Sequence, residues 1–428
     1  MLGVNAWFSE WIILKIMEYF VRKIIILGCF ILGVSAVYAA DVEGASELDA
    51  LRELARAEVG DGSDASANAG SAPATSGALA LQALNPEISI VGDMLWRNSD
   101  ALDSDFIFRT LGIHAQAYLD PYTMFKAALE FSEEGSELGE AYMTRFGLIP
   151  HVNLTLGKFR QQFGVVNRWH KHGLDQVDFP LALQGIFGEE GLNQVGVSFE
   201  WSMPTLLGLS QSLIVQVTDG QNDRLFGENS DNKPAELIHY KLFRDLTDST
   251  YAECGLSALY GQNSEWSVGE SVVEDSLDTF VFGVDFTVLW EPTDNMRYRN
   301  LTWRSEAFVL NKDLLAPDAS GKDTIDAWGG YSYVESKLSR TVILGVRLDY
   351  FAPDSKAYAG EIGGDMAPLV VGGDGGDRWQ VCPYITWNQS PFVHFRAEYD
   401  YQDGDGPDEN TIWLQCIFAA GPHKHERY

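Results

Sequence analysis

The densest group of residues able to do chemistry lies between positions 158 and 172. There Lys158, Arg160, Arg168, His170, Lys171 and His172 follow one another with no acidic residue among them. Four of these side chains carry fixed positive charge. Placed at a water-filled constriction, such a run would sort ions by electrostatic barrier and hydrogen bonding. Placed on a solvated loop, it would pair with Asp175, Asp178, Glu189 and Glu190 just beyond it. The HxH at 170 and 172 has no third ligand at zinc-site spacing, so no metal and no other cofactor is expected.

A second group is spread along the chain. Arg304, Arg347 and Arg396 each fall on the polar parity of an alternating segment, together with Glu306, Asp349, Glu398 and Asp400. The same charges could form a selective belt or neutralise one another in pairs, whereas an isolated charge facing lipid would be far costlier. A third group, Asp400, Asp403, Asp405, Asp408 and Glu409, is rich in oxygen but lacks the twelve-residue spacing of a calcium-binding loop. It is expected to be a solvated loop. No GxSxG elbow, HExxH helix or GxxxxGK[ST] loop occurs, so no catalytic residue is assigned and an enzyme is not expected.

The elements that must position these residues follow from hydropathy. No internal stretch approaches the roughly 18–20 apolar residues of a spanning helix. Instead, from residue 87 onward the chain alternates with period two. In 280–290, Phe280, Phe282, Val284, Phe286, Val288 and Trp290 share one face, and the pattern recurs at 342–350 and 393–401. About sixteen such strands fit between 87 and 428. The connections between them sort by length: short turns at 120–121, 147–150, 202–207, 245–250, 292–298, 339 and 389–390, against long loops at 160–191, 219–235, 261–276, 312–324, 352–377 and 403–410. A soluble sandwich has no reason to segregate its loops in this way. An all-β transmembrane antiparallel barrel does, with short periplasmic turns opposite long external loops.

The ends of the chain complete the organisation. Residues 1–39 carry Arg22 and Lys23 before an apolar run, then small residues near Ala39, which is the pattern of an export signal. Met17 is an alternative start. Residues 40–59 suit a short periplasmic helix or coiled coil, and 60–86 a Gly- and Ser-rich linker. The formal charge of -31 disfavours nucleic acid as a partner; acidic external loops would instead share divalent cations with lipopolysaccharide in an outer-membrane bilayer. Cys29 falls in the export signal, and Cys254, Cys382 and Cys416 lack metal or redox spacing, so they read as small apolar fillers.

The segments LNPEISIVGDM (84–94), LGEAYMTRFGLIPHVNLTLGKFRQQFGVVN (138–167), FGEEGLNQVGVSFEW (187–201) and WLQCIFAAGPHKHERY (413–428) resemble the outer-membrane porin family related to phosphate-selective porins O and P. The resemblance implies a homotrimer of sixteen-stranded barrels in the outer membrane, passing small hydrophilic solutes by diffusion. It also implies anion preference and a third external loop folded into the lumen, here 160–191. The chain departs from the anion-selective members in having only 30 Lys and Arg residues against 61 Asp and Glu. The expectation is therefore a passive porin with a weak anion preference. A barrel that mainly tethers the envelope is the alternative, and an outer-membrane enzyme a more distant one.

Overall fold

A computed structural model describes residues 86–133, 135–226, 233–268, 271–315, 322–353, 376–405 and 408–421. The signal, helix and linker expected before residue 86 lie outside these residues. Sixteen antiparallel strands close into one barrel, each paired with its neighbours in sequence, and β1 (Glu87–Ser99) pairs with β16 (Glu409–Ala420) to complete the ring. The expected strand number and topology are those observed.

The barrel is built inside out, as the alternation requires. On β10 (Ser271–Trp290), Phe282 and Val284 face outward and are exposed, while Asp285 and Thr287, on the opposite parity, are buried. On β13 (Val342–Pro353), Leu348 is 53% exposed and its neighbour Arg347 only 2%. β15 (Val393–Gly404) repeats the arrangement, with Phe395 and Tyr399 exposed outside and Arg396 and Glu398 buried inside. An apolar outer face with a charged interior is stable only when lipid covers the outside. Aromatic pairs stand along that face, among them Trp379 with Tyr401 and Trp328 with Tyr350, at centroid distances of 5.4 and 4.8 Å.

The turns at one end are tight. Leu207 and Gly208, between β6 (Asn193–Leu206) and β7 (Leu209–Thr218), both have positive φ, 52° and 76°. This is the backbone of a two-residue hairpin turn that matches the strand twist.

At the other end the loop lengths depart from expectation. The segments 261–276 and 312–324, read as long loops, are mostly strand, and 403–410 is half strand. β9 (Thr250–Val268) and β10 run on to Val268 and Ser271, β11 (Asn300–Leu315) and β12 (Lys322–Lys337) to Leu315 and Lys322, and β15 to Gly404. Polar cross-strand bonds carry these extensions past the apolar band: Gln262 Nε2 donates to Asp278 Oδ1 at 2.5 Å, and Asn311 Nδ2 to Asp326 Oδ1 at 2.7 Å. The long connections that remain at this end are 161–192, 219–234 and 354–377.

Candidate functional site

The segment 161–192 leaves β5 (Val152–Arg160) and folds into the lumen. Its neck is closed by Asn167, whose Nδ2 donates to Gln161 O (2.8 Å) and Leu192 O (3.1 Å) while its Oδ1 accepts from Leu192 N (2.8 Å). Gly164 has φ 59° and lies against the Glu306 carboxylate, where a Cβ would collide. Helix α1 (Leu181–Phe187) is apolar on nearly every side. A short helical turn, α2 (Asp223–Phe226), adds Leu225 and Phe226 from the next loop on this side.

These residues build a hydrophobic core inside the barrel. Phe163, Ile186 and Phe187 from the inner loop pack with Leu237, Leu259, Val281, Phe308 and Leu310 of the wall. The ring centroids of Phe163 and Phe187 are 4.9 Å apart, and those of Phe163 and Phe308 5.9 Å. Close approach of α1 needs small residues: a Cβ on Gly185 would meet the Phe351 ring at 2.6 Å.

The rest of the loop is held by charge. Arg396 donates to Leu174 O (2.9 Å) and Gln176 O (2.7 Å), Arg347 to Asp178 O (2.8 Å), and Arg109 of β2 (Asp105–Asp120) to Val177 O (2.7 Å). Carboxylates hold the loop's amides in the opposite sense. Glu306 Oε1 accepts from Val165 N (3.1 Å), Val166 N (3.0 Å) and the Tyr331 hydroxyl (2.6 Å), and Glu398 Oε2 from Val177 N (3.0 Å). Arg304 lies 4.6 Å from the centre of the Trp169 ring and donates to Tyr333 Oη, which in turn donates to Asp175 (2.8 Å). Asp349 pairs with Arg347 at 2.9 Å. The six wall residues singled out in the sequence therefore all face the lumen. They are buried beneath the loop as its fastenings, which corrects the reading of an open charged belt.

The six loop residues part company. Lys158 is opposite Ala141 and Val195, and so sits on the outer face of the wall, which corrects its assignment to a constriction. Its Nζ reaches Leu138 O (2.7 Å) and Glu137 (3.2 Å) at the rim. Arg160 turns inward and donates to Glu190 O (2.8 Å), and Lys171 pairs with Glu190 at 3.0 Å. Arg168 donates to Gln162 Oε1 (2.9 Å).

His170 is buried between Glu130 (2.8 Å) of β3 (Thr123–Ser132) and Glu140 (3.0 Å) of β4 (Gly135–Ile149). Burial opposes its positive charge, but the hydrogen bonds to the two carboxylates outweigh it and raise the pKa. His172 stacks on His170 with centroids 5.4 Å apart, and His114 stands edge-on to both. Both ring nitrogens of His170 are engaged, so the HxH acts here as a hydrogen-bonded latch and not as a pair of ligands.

Sequence reasoning missed His114, Glu130 and Glu140. All three lie on one parity of β2–β4, as Ala128 opposite both His114 and Glu140 makes plain. That parity was legible, but not the path that brings residue 170 to it. The acidic group at 400–409 is divided. Asp400 accepts from Trp413 Nε1 (2.8 Å) on the lumen wall, and Glu409 accepts from Ser99 Oγ (2.8 Å) at the seam.

A serine, a histidine and an aspartate also meet in the wall, with His239 Nδ1 2.9 Å from Ser257 Oγ and 4.0 Å from Asp285 Oδ2. Both partners face the same ring nitrogen, so the trio lacks the two-sided geometry of a proton relay.

Comparison with solved structures places the fold among outer-membrane channels. The outer membrane channel DcaP of Acinetobacter baumannii superposes with a TM-score of 0.50 at 13% identity, covering 78% of this chain and 96% of that one. OprB of Pseudomonas putida gives 0.51 at 11%, covering 80% and 96%. An anion-selective porin from Comamonas acidovorans gives 0.51 at 9%, covering 78% and 99%. At such identities the likeness is one of fold. An uncharacterized protein of Aquifex aeolicus is 27% identical over 248 residues, covering 54% of this chain and 51% of that protein, so the chain spans about half the length of the curated relative it matches. No family model matches the sequence.

Proposed function

We propose that the protein is an outer-membrane porin, a passive channel for small hydrophilic solutes whose bore is set by the loop 161–192. The observation that carries this reading is the loop itself, fastened inside a lipid-facing barrel by arginines and carboxylates of the lumen wall. Kinship with the porins related to phosphate-selective porins O and P, a homotrimeric assembly and contact with lipopolysaccharide belong to the same proposal, as does the absence of catalysis.

Selectivity is weak in this proposal, and its sign differs from the weak anion preference expected from the sequence. That preference needed basic side chains facing the solute path. Arg160 and Lys171 are instead drawn to Glu190, Arg347 to Asp349, and Arg396 to loop carbonyls. The cleft that opens toward the short-turn end is lined by Asp175, Glu253, Glu291 and Glu335 against Arg304, with Lys241 3.4 Å from Glu253. Local charge outweighs charge beyond about 8 Å at physiological salt, so the cleft favours cations weakly.

Purified protein in a planar bilayer tests the whole reading. Stepwise ohmic conductance is expected, with a small reversal potential of cation-selective sign under a salt gradient. A silent bilayer, or uptake in cells that is lost with the inner-membrane energy transducer, overturns passive diffusion; an anion-selective sign overturns only the selectivity.

A further inference from the structure

We propose that Cys382, Glu398 and Asp400 form a binding site for a borderline-soft divalent cation of the zinc class on the lumen wall beneath the inner loop. Cys382 lies on β14 (Arg378–Asn388), and Glu398 and Asp400 are two residues apart on the facing strand β15. One ligand atom from each comes within 4.8 Å of the others, and these three are the group of such residues that does so among the described residues.

Cys382 is fully buried, Glu398 is 2% exposed and Asp400 is partly buried. Glu398 Oε1 and Asp400 Oδ1 are both buried with no donor beside them but the Cys382 thiol, although the other oxygen of each is bonded, to Val177 N and Trp413 Nε1. A buried carboxylate oxygen left bare in a low-dielectric wall is costly, and two of them beside a thiol call for a proton or a cation.

The donor set selects the ion. Calcium and magnesium take oxygen ligands, six or more in number, whereas a thiolate with carboxylates and a water suits tetrahedral zinc, whose ligand atoms stand about 3.4–3.6 Å apart given its bond lengths. Small rotations of the three side chains would close the gap. Arg347 Nη2, 3.8 Å from Cys382 Sγ, offsets the surplus of anionic donors around a doubly charged ion. Cys382 thus has a use that its reading as an apolar filler did not give it.

The test uses the full chain carrying C29S, C254S and C416S, which leaves Cys382 as the single thiol. Cobalt titration followed by absorption should give one cobalt per chain with a thiolate-to-metal charge-transfer band, displaced by zinc. Adding C382S should abolish the band, and E398Q should shift the titration midpoint by about tenfold or more. Heat-modifiable migration on gels shows that each variant keeps its barrel, and thiol titration in denaturant shows that Cys382 is reduced. If the reduced, folded protein gives no band, or E398Q leaves the midpoint where it was, the site is overturned and Glu398 and Asp400 share a proton only. Because the readout is metal binding and not conductance, it stands or falls apart from the porin reading.

Discussion

The inner loop is seated on the wall in two different ways. Toward β8 (Ala235–Thr247) through β12 its main contact is an apolar surface, with Phe163, Ile186 and Phe187 against Leu237, Val281, Phe308 and Leu310, and Glu306 and Arg304 of β11 are the charged contacts at its edge. Toward β2–β4 and β13–β15 it meets charge, with Arg109, Arg347, Arg396, Glu398 and the His170 latch. Dispersion and the hydrophobic effect have no titrating group, so the apolar packing of the first seat is indifferent to pH. The second is directional and depends on protonation. The difference assigns separate tasks: the apolar seat keeps the loop inside the barrel, and the polar seat fixes where its backbone lies across the bore.

Emptying each seat separates these tasks. Phe308→Ala removes a fully packed ring and should cost about 3–5 kcal/mol by the usual large-to-small penalty. Arg396→Ala leaves the carbonyls of Leu174 and Gln176 without their donor, at about 1–3 kcal/mol for buried unpaired groups. The first variant should lower the thermal midpoint of the barrel and give a wider, long-lived open level in single-channel records. The second should leave the midpoint nearer that of the parent while adding rapid current fluctuation. Lysine at 396 should not rescue the steadiness, because it lacks the forked donors that reach both carbonyls. Equal effects on the midpoint from both variants would dissolve the distinction between the seats.

The latch gives a smaller effect with a definite sign. His170 has a raised pKa because Glu130 and Glu140 hold its charged form against the opposing effect of burial. Its contribution is complete below the ordinary histidine value of 6.5 and is lost as pH rises through the higher folded value. Current fluctuation in the parent should therefore increase on the alkaline side of neutrality, and His170→Gln should flatten that profile. A parent profile that is flat, or noisier on the acid side, would separate His170 from the fastening of the loop.

The apolar seat could have been read from the sequence, and the polar seat only in part. Strict alternation put Arg347, Asp349, Arg396 and Glu398 on one parity of their strands, and in the structure all four are buried. In Phe280-Val281-Phe282 and Phe308-Val309-Leu310 both parities are apolar. That break in alternation marks a strand covered on both faces, by lipid outside and by the loop inside. The overhanging hairpins of β9–β12 were hidden for a different reason: beyond the lipid band a strand has no apolar face to betray it, and its polar residues look like loop. The partners of His170 depend on the course of a loop that crosses the lumen, and no local pattern records that course.

Lys158 gives the smallest expected effect, and it tests how strictly parity governs the wall. In β5 the residues Leu154 and Leu156 face outward opposite Phe199 and Val197, and Lys158 continues that parity opposite Val195. Its stem runs along the outer surface and its ammonium reaches Leu138 O and the exposed Glu137 at the rim, which is how a long basic side chain survives beside lipid. An exposed pair of this kind contributes about 0–1 kcal/mol. Lys158→Ala should therefore leave conductance, reversal potential and current noise unchanged and lower the thermal midpoint slightly at most. Arg160, two residues on at the end of the strand, instead turns inward and donates to Glu190 O. A shifted reversal potential in Lys158→Ala would place this charge in the solute path, invert the parity of β5, and return all six basic residues to a single constriction.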